Sequence, residues 1–226
     1  YSRHSRFHVA LDCIIFGFDT RELKLLCIKR DFEPEKGKWS LMGGFLRDGE
    51  AIDQAADRVL RELTGLEEIY LEQLQAYGET GRDSAGRVVS IAYYALINSV
   101  KFDKTISDRY SASWFSLHQL PDLIFDHHAM VDKALRRLRR RCRTQPVGFE
   151  LLPEKFTLPQ LQTLYEKIFD TDFDKRNFRR KILEPGVLVK LDEKDMEGSR
   201  KGAYLYRFDK QRYDELTNET LIIGYR

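Results

Sequence analysis

The chain has 226 residues, 42% of them hydrophobic and three of them cysteine, a length that suits one large domain or two modest ones. No run reaches the roughly 18 consecutive apolar residues of a membrane span, and the longest candidate, Val9 to Phe18, is broken by Asp12, so a membrane protein is excluded. The net charge of +2 hides a partition, because residues 1–132 carry 16 basic and 21 acidic side chains and residues 133–226 carry 22 and 15. The basic second part points to a polyanionic partner. Cys13, Cys27 and Cys142, odd in number and widely spaced, fit neither a disulfide framework nor a Cys-x-x-Cys zinc site, which points to a reducing, cytoplasmic location. The chain starts at Tyr1, which suggests trimming, and nothing near it has the charged-then-apolar layout of a signal peptide.

Val9 to Phe16 and Glu22 to Lys29 are apolar runs separated by Gly17-Phe18-Asp19-Thr20, the pattern of a hairpin. Trp39 to Phe45 is a strand ending in paired glycines, and Ala55, Ala56, Val59, Leu60 and Leu63 then recur at helical spacing. Glu68 to Tyr77 and Val88 to Asn98 are predicted strands around a turn at Gly81-Arg82-Asp83, with a short strand near Trp114-Phe115. Ala129 to Arg141 is a predicted helix with Met130, Ala134, Leu135 and Leu138 on one face. The polar stretch Thr144 to Gly148 is the expected linker, giving domains 1–145 and 146–226.

In the second domain Thr157 caps a predicted helix to about Phe169, with Leu158, Leu161, Leu164, Tyr165 and Ile168 facing inward. Asp174 caps another from Lys175 to Leu183, stopped by Glu184-Pro185-Gly186. Two strands, Val187 to Leu191 and Ala203 to Phe208, follow around a charged loop. Helix, turn, helix and hairpin is the winged-helix order.

Residues 175–181 hold five cations, with Phe178 and Ile182 spaced to anchor the buried side. Taken alone the run is equally well a solvated face or a contact surface. As the second helix before a wing, Lys175, Arg176, Asn177, Arg179, Arg180 and Lys181 are candidates for phosphate and base contacts in a major groove, and Arg200 and Lys201 for the adjacent backbone. In the first domain Asp12 interrupts an apolar strand, where an unpaired carboxylate is costly. Either it meets a partner such as Arg30, a backbone amide or a ligand, or it lies on the solvent side of the strand. His127 and His128 lack a third ligand at metal spacing and are read as the start of a helix.

The stretch Gly44-x5-Glu50-x7-Arg58-x3-Glu62-x2-Gly65-Leu66 resembles the Nudix box, G-x5-E-x7-R-E-U-x-E-E-x-G-U with U aliphatic, at seven of its nine specified positions. The resemblance implies a loop-helix-loop that presents carboxylates to Mg²⁺ and hydrolyses a nucleoside diphosphate linked to another group. Helix positions 59, 62 and 63 share a face and could clamp a hard cation. Val59 and Leu63 stand where the family has Glu, so no metal, no cofactor and no catalytic residue is expected, and Glu50, Arg58 and Glu62 are read as either an ion-pair network or residual chemistry. Met42 replaces a proline often found before the paired glycines. Ser40, Tyr77 and Tyr93 read as core or surface groups when taken as bare residues; they lie on strands that line the substrate cavity in Nudix folds, and with Asp12 and Arg30 they are the candidate effector-binding residues that the resemblance implies.

Leu152-Pro153-x2-Phe156-Thr157-Leu158, Leu161-Gln162-x-Leu164-Tyr165-Glu166, residues 174–181, Gly198-Ser199-Arg200 and Tyr204 to Phe208 are similar to the C-terminal domain of the Nudix-related transcriptional regulators. The implied fold is α+β, a Nudix-like α/β/α sandwich with a mixed sheet followed by a winged helix-turn-helix domain. The implied function is a homodimeric repressor that binds double-stranded operator DNA and releases it with a small-molecule effector. Ser40 to Phe45 and Val88 to Tyr94 resemble the pentose-responsive Bacteroidetes group, so arabinose or xylose, and with it a role in sugar metabolism, is the expected effector. The alternatives are ADP-ribose or another NAD metabolite, or a hydrolase of nucleoside diphosphate sugars.

Overall fold

The computed structural model describes residues 3–67, 69–101, 111–144, 148–196 and 201–223. Contacts divide the chain into two compact units, 1–19 with 23–137, and 20–22 with 138–226.

The first unit is built on β1 (His8–Phe18), buried without interruption from Leu11 to Phe18. A strand covered on both faces needs such a continuous apolar run. One edge of β1 runs parallel to β6 (Val88–Asn98) over its full length. The other edge is shared, with β4 (Met42–Phe45) pairing Ala10–Cys13 and β2 (Leu23–Lys29) pairing Phe16–Phe18, both antiparallel. β3 (Trp39–Ser40) and β7 (Ala112–Ser116) join β2, and β5 (Glu72–Tyr77) joins β6, so seven strands form one mixed sheet. The predicted start of β5 at Glu68 lies outside the described residues.

Alternation along β1 sorts its side chains. Odd positions Leu11, Cys13 and Ile15 pack with Ala55, Ala56, Val59 and Leu60 of α1 (Ile52–Thr64), while even positions Ala10 and Asp12 face a cavity. The N–H of Ala51 donates to the Gln54 side chain, and Gly65 ends α1 in the left-handed region at φ 69°. α2 (His127–Thr144) starts at His127, in line with the reading of His127 and His128 as a helix start, and runs past its predicted end at Arg141; Met130, Val131, Ala134 and Leu138 form its buried face, with Leu135 half-buried. Its first residue reaches Asp12 on the even face, so helices flank the sheet on both sides. Among the described residues no helix is long and apolar enough to cross a membrane.

In the second unit a short 3-10 turn, Phe149–Leu151, precedes β8 (Lys155–Thr157), α3 (Leu158–Phe169) and α4 (Lys175–Leu183). β9 (Leu188–Asp195), β10 (Ala203–Phe208) and α5 (Lys210–Ile223) complete it. The antiparallel sheet has the order β8-β10-β9. The predicted faces and caps of α3 and α4 are present: Leu158, Leu161, Leu164, Tyr165 and Ile168 are buried, Thr157 accepts from Gln160 N–H, and Asp174 accepts from Asn177 N–H at 2.8 Å. β8 and α5 were not predicted. Three residues are too short for a period, and β8 is held by its register, Phe156 opposite Tyr206. Phe208 stacks on Phe149 at 3.8 Å and meets Tyr213 of α5 at 5.3 Å, anchoring the helix by a contact that its weak amphipathic pattern does not announce.

Candidate effector cavity and candidate nucleic-acid interface

The even face of β1 opens on a cavity of about 270 Å³ walled by β2, β4, the turn at Arg82 and the start of α2. Asp12, 6% exposed, is its polar centre. It accepts from Ser90 Oγ at 2.5 Å, and Arg82 and His127 Nε2 lie 3.8 and 3.6 Å from its oxygens. Arg82 in turn grips Asp126 with two nitrogens at 3.0 and 2.6 Å. Leu41 N–H donates to His127 Nδ1 at 3.2 Å, so Nδ1 is the acceptor and the neutral ring carries its proton on Nε2, toward Asp12. Burial keeps His127 below the usual imidazole range, opposed by the Asp12 charge. A Cβ on Gly43 would come 2.6 Å from Asp12 Oδ1, so the glycine is what lets the carboxylate lie against β4.

Of the five candidate effector residues, Asp12, Arg30 and Ser40 line this cavity. The partner of Asp12 is the Ser90, Arg82 and His127 group and not Arg30, and the solvent-side alternative is excluded by burial. Arg30 lies across the ring of Phe32 at 3.8 Å, and its Nε donates to the carbonyls of Phe32 and Pro34. Ser40 is buried, its hydroxyl donating to Leu41 O at 2.9 Å. Tyr93 is not part of the wall. Its odd position on β6 turns it to the α1 side, where its hydroxyl donates to Asp53 and burial raises its pKa. Tyr77 is also outside the wall, its hydroxyl buried and its pKa raised by burial and by Asp126. Arg82, Ser90, Asp126 and the role of His127 were missed, since a turn arginine and a strand serine carry no periodicity that marks a site.

The Nudix-box residues do not fit a metal. Arg58 holds Glu50 through Nε at 2.6 Å and a second nitrogen at 2.8 Å, and it reaches Glu62 at 3.1 Å and Phe45 O at 2.9 Å. Arg47 adds a contact to Glu62 at 3.2 Å. The Arg58 guanidinium pulls Glu50 down to about 2. Val59 is buried with Cγ2 only 2.8 Å from where a Gly44 Cβ would be, and Leu63 forms part of the cavity wall. Two carboxylates already paired with guanidinium groups and two apolar side chains are a poor donor set for a hard cation. No cluster of three His, Cys, Asp or Glu with metal-binding geometry occurs among the described residues.

In the second unit, α4 buries Phe178 and Ile182 and exposes Lys175, Arg176, Asn177, Arg179, Arg180 and Lys181. Arg180 donates to Asn177 Oδ1 at 2.8 Å, one turn apart on the outer face. Lys201 is exposed before β10, and Arg200 lies outside the described residues. On the hairpin, Lys190 and Lys194 flank the ring of Tyr204 at 3.6 and 4.8 Å, cations that sequence reasoning did not single out. An exposed cationic helix is suited to a phosphate backbone.

A family model described as NUDIX domain matches residues 6–138, and one described as NrtR DNA-binding winged helix domain matches residues 148–208. The chain is 37% identical over 210 residues to the ADPR responsive transcriptional repressor NtrR of Acinetobacter baylyi, covering 91% of this chain and 84% of that protein. It is 35% identical over 128 residues, 57% of this chain and 73% of the other, to the ADP-ribose pyrophosphatase of Methanocaldococcus jannaschii. Shewanella oneidensis NrtR complexed with a 27mer DNA superposes with a TM-score of 0.81 at 28% identity, over 91% of this chain and 95% of that one. The NUDIX domain of the same protein complexed with ADP ribose gives 0.54 at 29% identity, over 61% and 92%. With a Nudix fold on a mixed sheet and a C-terminal winged helix both matched in order along one chain, the protein belongs to the NrtR family of Nudix-related regulators.

Proposed function

We propose that this protein is a DNA-binding transcriptional repressor that releases its operator when ADP-ribose, or a closely related nucleoside diphosphate sugar, enters the cavity around Asp12. The observation that carries the reading is the match along nearly the whole chain to a repressor named for its response to ADPR, with an exposed cationic α4 in the matched winged helix. Residues 1–145 act as the sensor and 146–226 as the DNA-binding domain. The protein works in the cytoplasm as a homodimer on a palindromic site, since two-fold symmetry in the protein selects it in the operator. Lys175, Arg176, Asn177, Arg179, Arg180, Lys181, Arg200 and Lys201 contact the duplex, and Asp12, Arg30 and Ser40 contact the effector.

The names of the relatives favour ADP-ribose over the arabinose or xylose expected from residues 40–45 and 88–94. The likeness to a pyrophosphatase supports hydrolysis as a second reading, against which stand Val59 and Leu63. Duplexes selected by the protein from a randomised pool, followed by fluorescence anisotropy, test the proposal. ADP-ribose should weaken binding by about tenfold or more, a coupling of ordinary size, with arabinose and xylose inert. No binding to any duplex at moderate salt overturns the DNA-binding reading, and release by a pentose alone restores the other effector. Turnover of ADP-ribose with Mg²⁺, abolished in Glu62→Gln, would establish the hydrolase.

A further inference from the structure

Resting on the ADP-ribose reading above, we infer that the domain takes the diphosphate of its effector without a divalent cation, on the guanidinium fork of Arg30.

Two negative phosphates in a partly enclosed cavity need countercharge, because burying an unpaired charge is costly. In a carboxylate-lined box a metal supplies it. Here Glu50 is tied by Arg58 at 2.6 and 2.8 Å, and Glu62 is held between Arg58 and Arg47 at 3.1 and 3.2 Å. The two remaining positions are Val59, packed against Gly44, and Leu63, which presents hydrocarbon to the cavity. The ligand face that would hold a cation is therefore closed by internal cations and apolar side chains.

The cavity's own cations differ in how far they are committed. Arg82 is bidentate on Asp126 and leans on Asp12. His127 accepts from Leu41 N–H on Nδ1 and is held neutral by burial. Lys29 lies over the Trp39 ring at 5.3 Å. Arg30 is fixed by other means: its plane rests on Phe32 at 3.8 Å and its Nε is bonded to two carbonyls. Its two terminal nitrogens meet no acceptor among the described residues. A guanidinium oriented through Nε with its fork open matches the paired oxygens of a phosphate, and stacking on an aromatic face lowers the ordering cost of using it. The acidic neighbours do not compete for it, as Asp31 is exposed and Asp83 accepts from Ala85 N–H at 2.8 Å.

Calorimetric titration of ADP-ribose into the full chain, in Mg²⁺ and in EDTA, reads the inference directly. Affinity should agree between buffers to about twofold, within the scatter of weakly screened contacts. Arg30→Ala should weaken it about 10- to 100-fold in both, the loss of charge-assisted hydrogen bonds. Arg30→Lys, keeping the charge without the fork, should fall between. Thermal unfolding of both variants checks that the fold persists. Mn²⁺ alone is the second probe: the electron paramagnetic resonance signal of the free ion should be unchanged by added protein. A tenfold loss in EDTA, a stoichiometric loss of the Mn²⁺ signal, or an unaffected Arg30→Ala would overturn the inference while leaving the ADP-ribose reading intact. Absence of binding in both buffers overturns both.

Discussion

Arg82 belongs to a turn, yet its side chain is 3% exposed and joins Asp126 to Asp12. Removing one member of such a group leaves the other charges buried and uncompensated, so Arg82→Met should destabilise the first unit by roughly 2 to 4 kcal/mol, the lower part of that range reflecting the partial exposure of Asp126. The midpoint of urea unfolding measures it, and a change within the noise would mean that water replaces the guanidinium. His127 couples stability to pH. Its folded pKa lies below its ordinary value of 6.5, chiefly through burial, so the unfolded chain takes up a proton that the folded one resists. The contribution is complete above pH 6.5 and is lost as the pH falls below it. Stability should therefore decline as the pH falls below 6.5, and the decline should be shallower in His127→Asn.

At the scale of elements, α3 and α4 are neighbours with opposite duties. α3 presents five buried side chains to the core and is closed at its start by Thr157. Thr157→Ala should cost about 1 kcal/mol of stability and leave operator affinity unchanged at matched folded concentration. α4 presents only Phe178 and Ile182 to the core. Arg179→Ala should leave stability within about 0.5 kcal/mol while lowering the slope of log affinity against log salt by about 0.9. Both pairs of numbers come from one thermal-unfolding series and one anisotropy series. If Arg179→Ala lowers stability and leaves the salt slope intact, α4 is a structural helix and its charge a solvated face. The same contrast explains what was legible. α3 and α4 carry 3.6-residue periodicity and capping residues, whereas β8 and α5 are held by register with β10 and by stacking of Phe149, Phe208 and Tyr213, contacts distant in sequence or too few to make a pattern.

For the whole molecule, an acidic Nudix part and a basic winged-helix part make the proposed regulation a case of linkage. If ADP-ribose lowers operator affinity by some factor, operator DNA must lower ADP-ribose affinity by the same factor. Measuring both halves of the cycle, anisotropy of labelled DNA with effector and calorimetry of effector with DNA, should return equal factors. Unequal ones would mean that a third state or a change of oligomer is being read. Full switching from 1:99 to 99:1 requires about a 10⁴-fold preference of the effector for the released state, so a smaller measured factor predicts incomplete derepression.

The amino-acid sequence by itself determined the order of the two domains, their opposite charge, the strands with continuous or alternating apolar character, the capped helices and the damaged Nudix box, because each is written in local periodicity or fixed spacing. It could not decide what Asp12 meets. That depended on the parallel register that brings Ser90 beside β1, on a turn that carries Arg82 inward and on a helix that delivers His127 from far along the chain. Tertiary structure also separated Tyr93 from the cavity by the parity of one strand and, among the described residues, left the Arg30 fork open on its wall, since which face a residue occupies, and which charges are already paired, are properties of the packed sheet.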